Sequence, residues 1–490
     1  VREGVEECDD GKDSDEDDCP TTCMNAVCGD GFVREGVEEC DDGKDSDEDE
    51  CLSSCKAPVC GNGVKEGTEE CDDGNSITTD DCTNECKRPA CGDGFVHGKT
   101  EQCDDGDPDG GPCRADCTWA AVAIDAGGGH VCALMANDAL KCWGNNFFGQ
   151  LGTYGELSPD REQTPDVFSD SVSAFDAGEL ATCAVHIERS SIKSKPYQVF
   201  PGFTPRQVAL GAYHICAIDG QSSALKCWGF VGDGALGVNH DDEFAGDDES
   251  IYEVPYVELG VAARAVAAGD SFTCALLETG SAKCWGNNEY GRLGLGSSDV
   301  SRALPSGDVL LGDKLEIAKI ATCSRHVCAL STTGYVKCWG ANESGQLGYG
   351  DTADRGRTQA SMGNNLPVVP LGSPVVDIAI GSASSCAVLV DGAVKCWGAG
   401  ASGQLGQPAL THVGDTVNNL GDEPGEVQAL PPIDLGTGAH AIRVAVGLDF
   451  ACAVLEDGGV KCWGNDYVLN KSIGDEVGEM GDALPEVPLN

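Results

Sequence analysis

One stretch recurs along most of the chain. From Cys328 to Gly348 it reads CALSTTGYVKCWGANESGQLG; close copies begin at Cys132, Cys216, Cys274, Cys386 and Cys452, and a degenerate copy begins at Cys183. Self-similarity on this scale marks a repeat architecture and limits the fold before anything else does. Within the unit, Cys328-Ala329-Leu330 and Val336-Lys337-Cys338-Trp339 are short apolar runs flanking Ser331-Thr332-Thr333-Gly334, the pattern of a β-hairpin. The two cysteines bracket the turn. On adjacent antiparallel strands they would face each other at about 5.5 Å between Cα atoms. The spacing therefore predicts six intra-hairpin disulfides: Cys132–Cys142, Cys216–Cys227, Cys274–Cys284, Cys328–Cys338, Cys386–Cys396 and Cys452–Cys462. Each would contribute about 2–3 kcal/mol by closing a short loop.

After each hairpin comes a glycine-punctuated turn, as in Gly149-Gln150-Leu151-Gly152, Gly345-Gln346-Leu347-Gly348 and Gly403-Gln404-Leu405-Gly406, with variants at Gly234 and Gly291. It lacks the Lys-Ser/Thr of a phosphate-binding loop. A Pro-containing segment such as Pro367-Val368-Val369-Pro370-Leu371 and a further strand such as Ile378-Ala379-Ile380 precede each Cys-Ala run. About four strands per unit make one propeller blade. In this order, C-A-L, V-K-C-W-G and G-Q-L-G resemble the repeats of the regulator-of-chromosome-condensation (RCC1-like) β-propeller family. The resemblance covers roughly residues 121–490 and departs from its nuclear members in the paired cysteines. The seven unit starts match the seven blades usual in that family. The expected fold is thus all-β: a seven-bladed β-propeller over residues 119–490, preceded by an array of small disulfide-rich repeats. Blade one lacks a leading Pro-Val-Leu segment, and residues 484–489 (LPEVPL) supply a spare one, expected to return, complete blade one and close the ring. Blade two lacks the Lys-Cys-Trp-Gly half. Polar, basic Ser190 to Lys195 stands where a strand should follow, which leaves Cys183, like Cys323, without a hairpin partner.

Residues 1–118 carry a second repeat: C-G-D/N-G, then E-x-C-D-D-G, then C-x-x-x-C. Residues 28–59, 60–90 and 91–118 are complete copies; 1–27 is a partial one, and residues 1–17 recur unchanged at 33–49, as at the edge of a longer array. These copies resemble the Myxococcus-type cysteine-rich repeat of secreted and surface proteins. Some 30 residues bury little apolar surface, so disulfides or metal must hold each one. Four cysteines allow three connectivities, and spacing does not choose among them. Asp41, Asp42, Asp47 and Asp49 form an oxygen-rich loop in the first complete copy. Asp72, Asp73, Asn75, Asp80 and Asp81 do so in the second, and Asp104, Asp105, Asp107 and Asp109 in the third. Hard oxygen ligands around a turn glycine suit Ca²⁺, although the spacing is not that of an EF-hand. The bland alternative is a set of solvated acidic turns. Trp119 is expected to pack at the junction of the two regions.

The chain holds 29 cysteines and a formal net charge of -51. Regular cysteines point to an oxidising, extracellular or cell-surface location. The acidity excludes nucleic acid, whose phosphates need Lys/Arg, and favours cations and basic partners. No apolar run spans a bilayer. No G-x-S-x-G or H-E-x-x-H motif is present. His130, His214 and His326 hold one repeat position and read as structural. The Lys before each Cys-Trp-Gly (Lys141, Lys226, Lys283, Lys337, Lys395, Lys461) reads as an exposed strand residue, and the six Trp as core between blades. The expected function is non-enzymatic: a stalk and binding head whose partner is another protein, a surface glycan or a second copy in a filament or adhesin. The resemblance also implies alternatives: a secreted inhibitor or receptor, and more remotely a hydrolase or guanine-nucleotide exchange factor.

Overall fold

The computed structural model describes residues 28–31, 33, 38–44, 51–98, 101–107, 111–151, 166–168, 172–179, 181–186, 191–195, 199–201, 204–239, 243–245, 253–313, 315–407, 419–466 and 471–489. Asp47, Asp49 and Asp109 lie outside the described residues, as does the partial repeat 1–27. The chain divides into two compact units, residues 1–118 and 119–490.

Turns and nested cystines make the first unit. In each complete repeat the outer pair closes the repeat and the inner pair lies inside it: Cys28–Cys55 around Cys40–Cys51, Cys60–Cys86 around Cys71–Cys82, and Cys91–Cys117 around Cys103–Cys113. This settles the connectivity that spacing alone left open.

The second unit consists, among the described residues, of seven antiparallel sheets, five of four strands and two of three. Their first strands are Ala121–Ala126, Val172–Ala177, Pro205–Leu210, Ala263–Ala268, Ile317–Thr322, Val375–Ile380 and Ala441–Val446. Each packs on the next, and the seventh packs on the first. Second strands carry the Cys-Ala run and third strands the Cys-Trp-Gly run, in register at Cys328↔Cys338 and its equivalents. All six expected hairpin disulfides form, with Cα atoms 4.0–4.1 Å apart. That is closer than the 5.5 Å expected, because the cysteines occupy the close, non-hydrogen-bonded positions of the ladder.

The second sheet corrects the reading of blade two. Ser191–Lys195 is a strand paired with Thr182–His186, and Cys183 lies opposite Ser194. A ladder uses only the backbone, so a polar sequence forms the strand while removing the sulfur partner. Cys183 and Cys323 are the described cysteines outside disulfides.

Neighbouring sheets are stitched at one recurring point. The indole N–H groups of Trp285, Trp339, Trp397 and Trp463 donate to the carbonyls of Ala235, Arg292, Gln346 and Gln404 in the preceding turn, at 2.8–3.0 Å. These Trp are buried between sheets, as the sequence suggested. The turn must therefore pass very close to the ring. Gly348 has φ +76, and a Cβ there would stand 2.9 Å from Trp397 Nε1, which is why glycine recurs.

The Pro-containing segments run beside the third strand of the sheet they follow, as in Val309 N to the Ala282 carbonyl and Val369 N to the Val336 carbonyl. Residues 484–489 do the same on the last sheet: Val487 N donates to the Val460 carbonyl, and Lys461 bridges Glu486. They also reach the first sheet: Lys141 Nζ donates to the Leu489 carbonyl at 2.6 Å, and Val487 and Leu489 share an apolar cluster with Val131, Ala133 and Trp143. Trp119, in the second unit, packs partly buried against the cluster of Ala121, Val131 and Phe450.

Candidate functional site

The recurring Lys and His both serve the seams between sheets. The lysines are not exposed, contrary to the sequence reading: Lys141, Lys226, Lys337, Lys395 and Lys461 are buried. Lys337, Lys395 and Lys461 donate to the carbonyls of Leu311, Leu371 and Leu435 in the preceding Pro-containing segment, at 2.7–3.1 Å. A long stem crosses the apolar seam and the ammonium is satisfied by main-chain oxygens. Lys283 instead pairs with Asp308 at 3.2 Å. The histidines form a relay. His130, His214 and His326 Nε2 lie 2.8–2.9 Å from the hydroxyls of Thr182, Thr273 and Ser385 on the next sheet. Those hydroxyls donate to the carbonyls of Gln150, Ala235 and Gln346. With its proton used there, each hydroxyl must accept from Nε2–H, so the rings are neutral Nε2–H tautomers. Burial holds the pKa of His130 and His214 down to about 4 and that of His326 to about 3. At two other seams the equivalent partners are Phe272 with Val327, and Phe450 with Val131, each pair within one apolar cluster. Five of the seven seams thus use one of two solutions to the contact, His–hydroxyl or Phe–Val.

The first strands surround a channel-like cavity of about 530 Å³. Two acids in it escaped the sequence reading, Asp125 and Asp176, because neither belongs to a recurring motif. They adjoin each other on neighbouring first strands; burial and the proximity of Asp125 drive Asp176 well above the carboxylate range, and burial raises Asp125. A carboxyl pair with perturbed ionisation suggests acid–base chemistry. Here each has a structural task. Asp125 Oδ2 accepts from Ala177 N at 2.7 Å and Asp176 Oδ2 from Leu210 N at 2.6 Å, tying the first three sheets in series. Asp377 ties Lys319 at 2.6 Å and Val444 N at 3.1 Å in the same manner. No histidine lines the described cavity.

The cavity mouth lies where first and second strands join and third strands end. Glu179, Asp270, Tyr290, Arg292, Ser324 and Arg325 line it. Burial, then Glu179, push Asp270 up to about 6, with Arg292 and Arg325 acting the other way. Cys323, also lining the cavity, has its thiol pushed up to about 12 by burial and Asp270. The turn glutamines set the rim geometry. Gln150, Gln346 and Gln404 Oε1 accept from the N–H of Phe148, Ser344 and Ser402. Where Ala235 and Arg292 replace the glutamine, Asp233 and Tyr290 take φ +62. The Arg292 guanidinium donates to the Ser324 carbonyl and to Asn287, and pairs with Glu289. It, Arg325 and Arg357 stand 5.6–6.0 Å from the Tyr290 ring.

The expected cation loops are partly self-contained. Asp72 Oδ1 and Oδ2 accept the N–H groups of Gly61, Asn62, Gly63 and Gly74 at 2.7–3.1 Å. Asp41 and Asp104 accept four N–H groups in the same way. These bonds lower all three pKa values against desolvation. Four donors occupy the lone pairs of a carboxylate, so the first Asp of each D-D-G organises its own loop. Asp42 pairs with Lys44 at 3.2 Å. Asp73 accepts from Asn75 N at 3.3 Å and Asp80 from Asn75 Nδ2 at 3.0 Å. Asp105 accepts from Asp107 N and Cys113 N.

Residues 121–150, 263–292, 317–346, 375–404 and 441–468, with 280–330 and 333–388, match the regulator of chromosome condensation (RCC1) repeat. Residues 20–56 and 53–87 match a domain of unknown function (DUF4215). The Arabidopsis thaliana ultraviolet-B receptor UVR8 is 26% identical over 386 residues, covering 73% of this chain and 79% of the receptor. The human E3 ubiquitin-protein ligase HERC2 is 29% identical over 331 residues, 66% of this chain but 6% of that protein. The Saccharomyces cerevisiae protein Prp20p, described with binding to Gsp1p and histones, superposes with a TM-score of 0.52 at 19% identity, covering 68% of this chain and 81% of that one. Yeast RCC1 (Prp20) in complex with Kap60 gives 0.51 at 20%, covering 67% of this chain and 78% of the other. The chain therefore carries RCC1 repeats within residues 121–468 and shares the fold of RCC1-like propellers, behind an N-terminal region of disulfide-rich repeats.

Proposed function

We propose that the chain is a secreted or cell-surface, non-enzymatic protein-interaction module: a closed seven-bladed propeller serving as a rigid binding head on an acidic disulfide-rich stalk of the Myxococcus type. The observation that carries this reading is covalent. Twelve disulfides join described cysteines, one in the hairpin of six of the seven sheets and two in every complete N-terminal repeat, a density that suits an oxidising compartment. The channel acids are engaged by backbone N–H groups, which favours a binding role over catalysis. Propeller relatives described as binding proteins support a protein partner over a glycan, and the unchanged recurrence of residues 1–17 at 33–49 supports end-to-end assembly of stalks as a second reading. Ca²⁺ would stiffen the stalk through the acids outside the backbone cradle, Asp73, Asp80 and Asp81 in the repeat 60–90.

The test is to alkylate intact cells with a membrane-impermeant maleimide, then weigh the purified chain before and after reduction. The reading expects the hairpin cysteines to be unlabelled before reduction and the chain to be accessible to protease added outside the cell. Hairpin cysteines recovered as thiols, in a chain shielded from that protease, would overturn it.

A further inference from the structure

One edge of the propeller differs from the other in what it exposes. In each sheet the second strand begins where the third ends, as His130↔Gly144, His214↔Gly229 and Phe272↔Gly286 show. The loops into second strands and the segments after third strands therefore share one face, the face that bears the cavity mouth. On it Phe147 and Phe148 are 81% and 52% exposed, their rings edge to face at 5.1 Å. Tyr213, 64% exposed, packs through Phe230 to Phe244, with centroids 6.3 and 5.5 Å apart. Val300, whose carbonyl receives Asn288 N, is 80% exposed. Exposed aromatic side chains grouped on one face are typical of protein-contact anchors.

The charges on that face are unevenly matched. Arg325 is held by Glu343 and Arg292 by Glu289. Arg357 stands on the Tyr290 ring with no carboxylate partner among the described residues. Glu179 and Asp270 at the mouth and Asp233 on the rim likewise have no ion-pair partner among the described residues. The excess is negative, and the whole chain, at -51, steers cations toward it.

We infer that this face docks a basic protein surface, whose apolar side chains cover Phe147, Phe148 and Tyr213 while a Lys or Arg side chain enters the mouth between Glu179 and Asp270. This rests on the reading of the propeller as a binding head and adds the chemistry of its partner. An acidic partner or a second copy of the chain would meet repulsion on approach.

The probe is a library of random 15-residue peptides on phage, selected against the full disulfide-intact chain at 0.15 M salt. Selected peptides are expected to combine Lys or Arg with apolar residues. Their Kd should rise about tenfold or more with Phe147→Ser/Phe148→Ser and with Asp270→Asn. It should rise at 0.5 M NaCl and stay unchanged with Tyr335→Ser on the opposite edge. Tyr335 there is 55% exposed. Selected peptides that are acidic or uncharged, but sensitive to Phe147→Ser/Phe148→Ser, would overturn the basic partner and leave the binding head standing. Peptides indifferent to all three face substitutions, or no binders at all, would overturn the docking face itself.

Discussion

The two solutions to the seam contact allow a double-mutant cycle. Thr273→Val exchanges a buried hydroxyl for a methyl of the same shape. The Ala235 carbonyl keeps the Trp285 indole at 2.9 Å, so it is not orphaned. His214 Nε2–H loses its acceptor in a fully buried position, 2.8 Å from where the hydroxyl stood. An unsatisfied buried donor costs about 1–3 kcal/mol. His214→Phe alone leaves the Thr273 hydroxyl still donating to the Ala235 carbonyl at 2.8 Å, and costs about 0.5–1.5 kcal/mol. The double variant recreates the Phe272–Val327 pair of the adjoining seam and should melt close to the parent. Gly211 lies beneath the His214 ring as Gly269 lies beneath Phe272, so the larger ring has a floor. With the double near the parent, the coupling equals the sum of the single costs, about 1.5–4.5 kcal/mol in favour of the double. Melting of the oxidised chain by circular dichroism reads it, with Thr273→Val lowered by about 1–4 °C. A double variant melting at or below the worse single would refute the exchangeability of the two pairs.

Further predictions follow from other groups. The folded pKa values of His130, His214 and His326, about 4, 4 and 3, lie below the unfolded value near 6.5. Between those limits the unfolded chain binds more protons, so stability is lost as pH falls from about 6.5 toward 4, by up to about 3 kcal/mol per ring. Melting followed from pH 7 to 4 should show the loss, and the His214→Phe/Thr273→Val variant should lose less. Native Cys323, its thiol pushed up to about 12, should resist iodoacetamide at pH 8 until the chain is denatured, as peptide mass mapping would show. Asp72→Asn replaces a carboxylate cradled by four N–H groups with an amide that repels one or more of them. It should destabilise that repeat, seen as earlier reduction of Cys71–Cys82 in a dithiothreitol titration; unchanged reduction would count against the cradle.

What sequence reading reached was local. Hairpins, the six cystines between strands and the glycine turns are specified within 21 residues, and they stand as read apart from the closer Cα spacing. What it missed lies across seams. Lys337 looks exposed because its neighbours alternate, yet its carbonyl partners are 26 residues away in sequence. His130 meets Thr182 over 52 residues and His326 meets Ser385 over 59. Such partners emerge only when one unit is stacked on the next. Asp125 and Asp176 are invisible for a different reason: other first strands have Ala at the position opposite the cysteine, such as Ala209, Ala267 and Ala321. A reading based on recurrence passes over what occurs twice. The cradled Asp72 was noticed as an acid but assigned outward, toward a cation, when its bonds run inward to its own loop.

The seam pairs also bear on inheritance. Repeated genes gain and lose units by unequal recombination, and a propeller encoded this way invites it. Here a unit is not a free token. Each one offers a residue to the next and receives one from the last: the third offers His214 and presents Ile215 where the fourth presents Thr273. Duplicating the third unit in place would set His214 against Ile215 of its copy, a ring nitrogen facing a hydrocarbon. Duplicating the fourth would set Phe272 against Thr273. The permissible unit of exchange is therefore the junction, half of one sheet with half of its neighbour, and the order of the seven units is written into their mismatched sides.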